Sequence, residues 1–124
     1  MNEEKVVLLV DDEQSLLKAT SIGLKDRGFK VYTAESGELA IKAIQNLHPS
    51  IVVSDLAMPG MNGFELYQEV KKREEYKSLP FIFLTAVDDF YAKKFGKEIG
   101  GAAYITKPVD LDDLEHVIKE KMGE

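Results

Sequence analysis

The stretch "SIVVSDLAMPGMNG", Ser50 to Gly63, carries the reading of the fold: a β-branched apolar run meets a single carboxylate, Asp55, and breaks at once into a Met-Pro-Gly loop. An apolar run that short, without polar alternation, is a strand covered on both faces, as in a parallel sheet clothed by helices. "VVLLV" (Val6 to Val10) and "PFIFLT" (Pro80 to Thr85) have the same character and read as further central strands. "FKVYTA" instead sets Phe29, Val31 and Thr33 against Lys30 and Tyr32, which predicts an edge strand with one wetter side. A last short run, "AAYIT", spans Ala102 to Thr106.

Helical patterns fill the intervals. Ala40, Ala43, Ile44 and Leu47 share one face, with Ser36 placed to cap the helix and Pro49 to end it. Leu66, Tyr67 and Val70 form a shorter stripe after Gly63; Leu111, Leu114, Val117 and Ile118 form another behind Asp110 as N-cap. Between Ser15 and Arg27 the pattern is less regular, with Leu16, Thr20, Gly23 and Leu24 on one face, Leu17 and Ile22 elsewhere, and Gly28 as the stop. Asp89 to Ile99, with Phe95 and Ile99 on one side, is the remaining helical stretch before Gly100 and Gly101. Strands each followed by a helix imply right-handed crossovers and an open α/β sheet with helices on both faces, in a chain far too short for an eight-unit barrel. An edge-like second strand suits a five-stranded parallel sheet of the flavodoxin-like order 2-1-3-4-5, a three-layer sandwich that binds ligands outside the carboxyl ends of the first and third strands.

With 124 residues and 44% hydrophobic content, the chain reads as one domain, residues 1–124, around one core. No apolar run is long enough to span a bilayer, and the charged start, Met1 to Lys5, does not open a signal peptide, so a cytoplasmic protein with no membrane role is expected. The absence of cysteine excludes disulfides, thiolate metal sites and a thiol nucleophile. Sixteen basic residues against 22 acidic ones give a net charge of −6, which disfavours direct nucleic-acid binding.

"VVLLVDDE" ends in Asp11 and Asp12, and "SIVVSD" ends in Asp55, so three carboxylates converge on one rim of the predicted sheet. Gathering them there costs desolvation and mutual repulsion unless a cation offsets it. The available donors are hard oxygens, which favours Mg²⁺, with Mn²⁺ also admissible, over Zn²⁺. Thr85 and Lys107 end the fourth and fifth strands and add a hydroxyl and a positive charge. Pro108 keeps Lys107 extended, and its peptide bond accepts the cis form at little cost, which would turn the lysine inward over the rim. Such a set suits phosphoryl transfer, where positioning and charge neutralisation dominate and a carboxylate can itself be the acceptor.

With "LLVDDE", "VVSDLAMPGMNGFEL", "FLTA" and "AAYITKP" in order and at matching spacing, the chain resembles bacterial response-regulator receiver domains of the chemotaxis-Y type from end to end. Chemotaxis-Y proteins are themselves the standing instance of the 2-1-3-4-5 order, so that order comes with the resemblance and is not an independent derivation. The resemblance implies a phosphorylation-dependent switch of a two-component system: Asp55 accepts a phosphoryl group from a sensor histidine kinase or phosphotransfer protein, and a downstream effector or output domain reads the result. It also implies Mg²⁺ held directly by Asp12, Asp55 and the Ala57 backbone carbonyl, and by Asp11 through a water. Lys107 would hold a phosphate oxygen, with Thr85 and Tyr104 as the switch pair whose hydroxyl and ring move together. Such a chain catalyses only its own phosphorylation and dephosphorylation, either as a stand-alone receiver or as the N-terminal part of a longer regulator.

Plainer roles compete with these. Asp11 and Asp12 can cap the next helix, Asp55 can be a turn residue, and Tyr104 can be strand packing. A phosphohydrolase or phosphotransferase acting on small molecules through an aspartyl phosphate uses the same groups, but Ala57 stands where its second Asp would act as acid or base. Ala57 and Val87, two residues past Asp55 and Thr85, offer no polar group to position an attacking water, which predicts slow self-dephosphorylation. His48 and His116 read as surface residues, Met58 and Met61 as fillers under the loop, and "KKREEYK", Lys71 to Lys77, as a solvated helix end. Many members of the family carry acidic residues where this chain has Ala102 and Ala103; with Phe90 and Tyr91 these make the face of the last two helices and last strand apolar, the expected face for a partner or a phosphorylation-dependent homodimer.

Overall fold

A computed structural model describes residues 5–86 and 102–123. The helix expected over 89–99, and with it Val87, Phe90, Tyr91, Phe95, Ile99, Gly100 and Gly101, lies outside the described residues.

In chain order the elements are β1 (Val6–Val10), α1 (Gln14–Asp26), β2 (Lys30–Ala34), α2 (Gly37–Leu47), β3 (Ile51–Asp55), α3 (Gly63–Lys71), a 3₁₀ turn (Glu74–Tyr76), β4 (Phe81–Thr85), β5 (Ala103–Thr106) and α4 (Leu111–Lys121). The strands pair in parallel in the order β2-β1-β3-β4-β5, as expected. β2 is an edge and β1, β3 and β4 are central, which is why the central runs lack polar alternation.

The two-residue strand period sorts those apolar runs into two cores. Leu8, Val10, Val52, Phe81 and Phe83 pack with Ala40 and Ile44 of α2 and with Phe64, Leu66 and Val70 of α3. Val7, Leu9, Val53, Ile82 and Leu84 pack on the other face with Leu17 and Leu24 of α1 and with Leu114 and Ile118 of α4. The helix signals hold at three places: Ser36 accepts from the Leu39 amide, Asp110 accepts from the Asp112 and Asp113 amides, and Gly28 follows α1 at φ +94°.

Three expectations are corrected. The stripe of α1 that faces the sheet is Leu17, Ser21 and Leu24, while Leu16 is 42% exposed. Leu16, Thr20 and Gly23 instead turn toward α4, and Gly23 leaves room for a neighbour: a Cβ there would lie 2.5 Å from Leu111 Cδ1. On β2, Thr33 is exposed with Lys30 and Tyr32, so Val31 and Ala34 carry the burial. Lys71 to Lys77 is not simply solvated: Tyr76 is buried with its hydroxyl 3.3 Å from the Ile44 carbonyl. Lys71 donates to the carbonyls of Tyr76, Lys77 and Leu79 and lies over the rings of Tyr67 and Phe81, an arrangement that residue type alone does not signal.

Candidate functional site

Parallel register brings the strand ends to one rim. Val10 pairs with Ser54, Asp55 with Leu84, and Thr85 with Thr106, so Asp11, Asp55, Thr85 and Lys107 emerge side by side. The Lys107 amide donates to the Thr85 carbonyl at 2.7 Å, and the Asp11 amide to the Ala34 carbonyl at 3.2 Å, which carries the backbone of both residues past the formal strand ends. The buried polar residues among those described are Asp11, Ser21, Ser54, Asp55 and Thr85, so the polar burial of this molecule concentrates at the rim.

The loop after Asp55 is closed tightly. The Gly63 amide donates to the Leu56 carbonyl at 2.9 Å, and a Cβ on Gly63 would lie 2.6 Å from the Asp55 carbonyl oxygen, so only glycine lets α3 start this close to the strand. Asn62 accepts from the Glu65 amide and Glu65 from the Asn62 amide, a capping box that the Asn-x-x-Glu spacing announces and that the sequence reading passed over. Met58 is buried and Met61 half-buried against the core, the filler role expected of them.

Lys107 Nζ lies 3.0 Å from Asp55 Oδ2 and 3.9 Å from Asp11 Oδ2. The Lys107–Pro108 peptide bond is cis. The other Asp11 oxygen, Oδ1, accepts from the Glu13 amide at 3.0 Å in the turn ahead of α1; the helix itself has Glu13 as N-cap and no side-chain cap, so neither Asp11 nor Asp12 takes the capping role weighed for the pair. One oxygen from each of Asp11, Asp12 and Asp55 lies within 4.8 Å of the others, a spacing that a single hard cation can bridge. Burial pushes the Asp55 carboxyl up to about 6, against the opposing hydrogen bond and charge of Lys107, and the neighbouring Asp11 and Asp12 push the same way as burial. Three carboxylates facing one ammonium leave an excess of negative charge, which a divalent cation neutralises. The donor set therefore fits a hard divalent ion, with Asp12 as its exposed member and Asp11 and Asp55 as its buried ones.

Thr85 and Tyr104 share a face of the sheet, because Tyr104 pairs with Phe83 and Phe83 and Thr85 alternate along β4. Tyr104 is half-buried, its ring centroid 5.6 Å from that of Phe83, and burial together with nearby Tyr67 raises its hydroxyl pKa. Ala57 is exposed beside the rim. His48 and His116 are exposed and away from it; the His48 ring lies 3.4 Å from the Tyr76 hydroxyl, and His116 lies 3.9 Å from Glu120.

The model of the response regulator receiver domain family matches residues 7–119. The chain belongs to that family. Among solved structures, a chain described as a response regulator from Chloroflexus aurantiacus J-10-fl is 30% identical, with a TM-score of 0.89 over 98% of this receiver and 100% of that chain. The chemotaxis protein CheY4 of Vibrio cholerae is 31% identical, with a TM-score of 0.86 over 95% and 98%. A CheY-like receiver domain protein from Methanospirillum hungatei JF-1 is 30% identical, with a TM-score of 0.87 over 98% and 95%. Receiver domains are signalling switches of two-component systems that work with histidine kinases and output domains, and this receiver has their flavodoxin-like fold with an acidic group able to hold a metal. Among the described residues no helix is long and apolar enough to cross a membrane.

Proposed function

We propose that this receiver takes a phosphoryl group onto Asp55 from the phosphohistidine of a sensor kinase or phosphotransfer protein, with Mg²⁺ or Mn²⁺, and relays the modification through its surface. The observation that carries the reading is the pairing of a buried Asp55 with Lys107 at 3.0 Å inside a group of three carboxylates. An Asp55 carboxylate oxygen attacks phosphorus as the P–N bond to the donor's protonated phosphoimidazole breaks; the electron pair of that bond stays on nitrogen, leaving an acyl phosphate on Asp55 and a neutral histidine on the donor. The cation supplies charge neutralisation at the transferring oxygens. Asp12, Asp55 and the Ala57 carbonyl would hold it directly, and Asp11, with one oxygen already engaged by the Glu13 amide, would act through a water. Lys107 takes a phosphate oxygen with the cis Pro108 behind it, Thr85 donates its hydroxyl, and Tyr104 turns with Thr85 on their shared face.

Residues 1–124 form one receiver unit, cytoplasmic and acting on a downstream effector or an attached output domain. The face of β5 and the last helices is the surface that partner or second copy reads on phosphorylation; Ala102 and Ala103 place two partly exposed, uncharged side chains on it. Small-molecule phosphohydrolysis is disfavoured because exposed, apolar Ala57 occupies the place of the second acid. Incubation with Mg²⁺ and acetyl phosphate should add one phosphate by mass to the wild type and none to Asp55→Asn. A persistent adduct in the variant would refute the assignment.

A further inference from the structure

The loop that carries Ala57 is held at two ends. Near Asp55 it is closed by the Gly63-to-Leu56 hydrogen bond. At its far side Met61 sits in a notch at the start of α2, where Gly37 has no side chain. A Cβ on Gly37 would lie 2.7 Å from Met61 Sδ, 2.8 Å from Cγ and 2.9 Å from Cβ. Because the Met61 Cβ is itself too close, a new rotamer does not relieve the clash, and the backbone at residue 61 has to shift. Between the two anchors, Gly60 makes the turn at φ +72° and Met58 is buried, so residues 57–62 have little freedom to absorb that shift.

We infer that Met61, seated against Gly37 on α2, is a positioning residue that sets the β3–α3 loop and thereby aims the Ala57 carbonyl at the divalent cation. The inference rests on the metal role proposed above for Ala57. It makes α2 a structural support of the phosphorylation site through the first residue of that helix, and it gives the missing side chain of Gly37 a purpose. Groups hydrogen-bonded to a metal's ligands usually govern its affinity about 10–100-fold, and a contact that acts through the loop is expected at the low end of that range.

The test is a Mg²⁺ titration of the intact protein followed by the backbone carbonyl ¹³C shift of Ala57, with thermal stability measured in parallel. Gly37→Ala is expected to weaken Mg²⁺ about tenfold. Met61→Ala should weaken it severalfold and keeps the test available if the first variant does not fold. The double variant should be no weaker than Gly37→Ala, because both changes act on one contact. Leu39→Ala, exposed on the same helix, should leave Mg²⁺ affinity unchanged. Variants that lose stability but bind Mg²⁺ within about twofold of the wild type would overturn the positioning role, since they would show Gly37 and Met61 to be packing alone. A wild type that binds no Mg²⁺ would overturn this role and the metal reading together.

Discussion

At the scale of the residue, Asp55 concentrates the chemistry and its cost. Its carboxyl titrates at about 6 in the fold against an ordinary 3.8, chiefly because of burial. The folded state therefore keeps a proton that the unfolded state gives up, so this group favours the fold fully below about pH 4 and the benefit is lost as pH rises through about 6. In EDTA, Asp55→Asn should be more stable than the wild type at pH 8 by up to about 3 kcal/mol, with the difference vanishing near pH 4. Urea midpoints at the two pH values check this; a difference that grows on acidification would contradict the burial argument. Ala57 makes a second prediction at this scale. It is exposed beside the rim with a methyl group where an amide would position water, so Ala57→Asn should shorten the lifetime of the phosphoprotein. An unchanged half-life by mass spectrometry or phosphate release would dismiss that explanation.

At the scale of the element, the site depends on how each helix begins and where it lies. α3 starts through the Asn62–Glu65 capping box immediately after the Asp55 loop. Replacing Asn62 with Ala should cost about 1 kcal/mol in chemical denaturation, the usual value of such a cap. A neutral result would mean that tertiary packing of Phe64, Leu66 and Val70 alone holds the helix. The strands were the legible elements: short apolar runs can only be buried on both sides, and their ends mark the rim. The sheet-facing stripe of α1 contains Ser21, which hides it in the sequence, while Leu16, one position before buried Leu17, looks like core yet lines the gap toward α4. Hydrophobicity identifies which residues seek cover, and the neighbouring element decides which of them find it. Lys71 shows the converse, a charged residue half-buried because three backbone carbonyls lie within its reach.

At the scale of the whole molecule, among the described residues one face of the sheet is packed by α2 and α3 and the other by α1 and α4, with the carboxylates gathered at the ends of the strands between these layers. Excess negative charge at that rim should make the stability of the fold depend on divalent cations. A hundredfold excess of Mg²⁺ over its Kd should raise unfolding free energy by about 2.7 kcal/mol, through mass action on the folded state alone. The gain, read as the shift in urea midpoint between Mg²⁺ and EDTA, should be largely lost in Asp12→Asn; equal midpoints with and without Mg²⁺ in the wild type would count against the metal site. By itself the sequence determined the alternation of strands and helices, the carboxylates and lysine at strand ends, and the family, because these are local patterns whose period and order need no partner to be read. Only the tertiary structure decided the 3.0 Å contact of Lys107 with Asp55, the burial that raises the Asp55 pKa, and the seat of Met61 against Gly37. Those depend on register and on the close packing of segments distant in the chain, and their energies exist only once the surrounding water has been excluded.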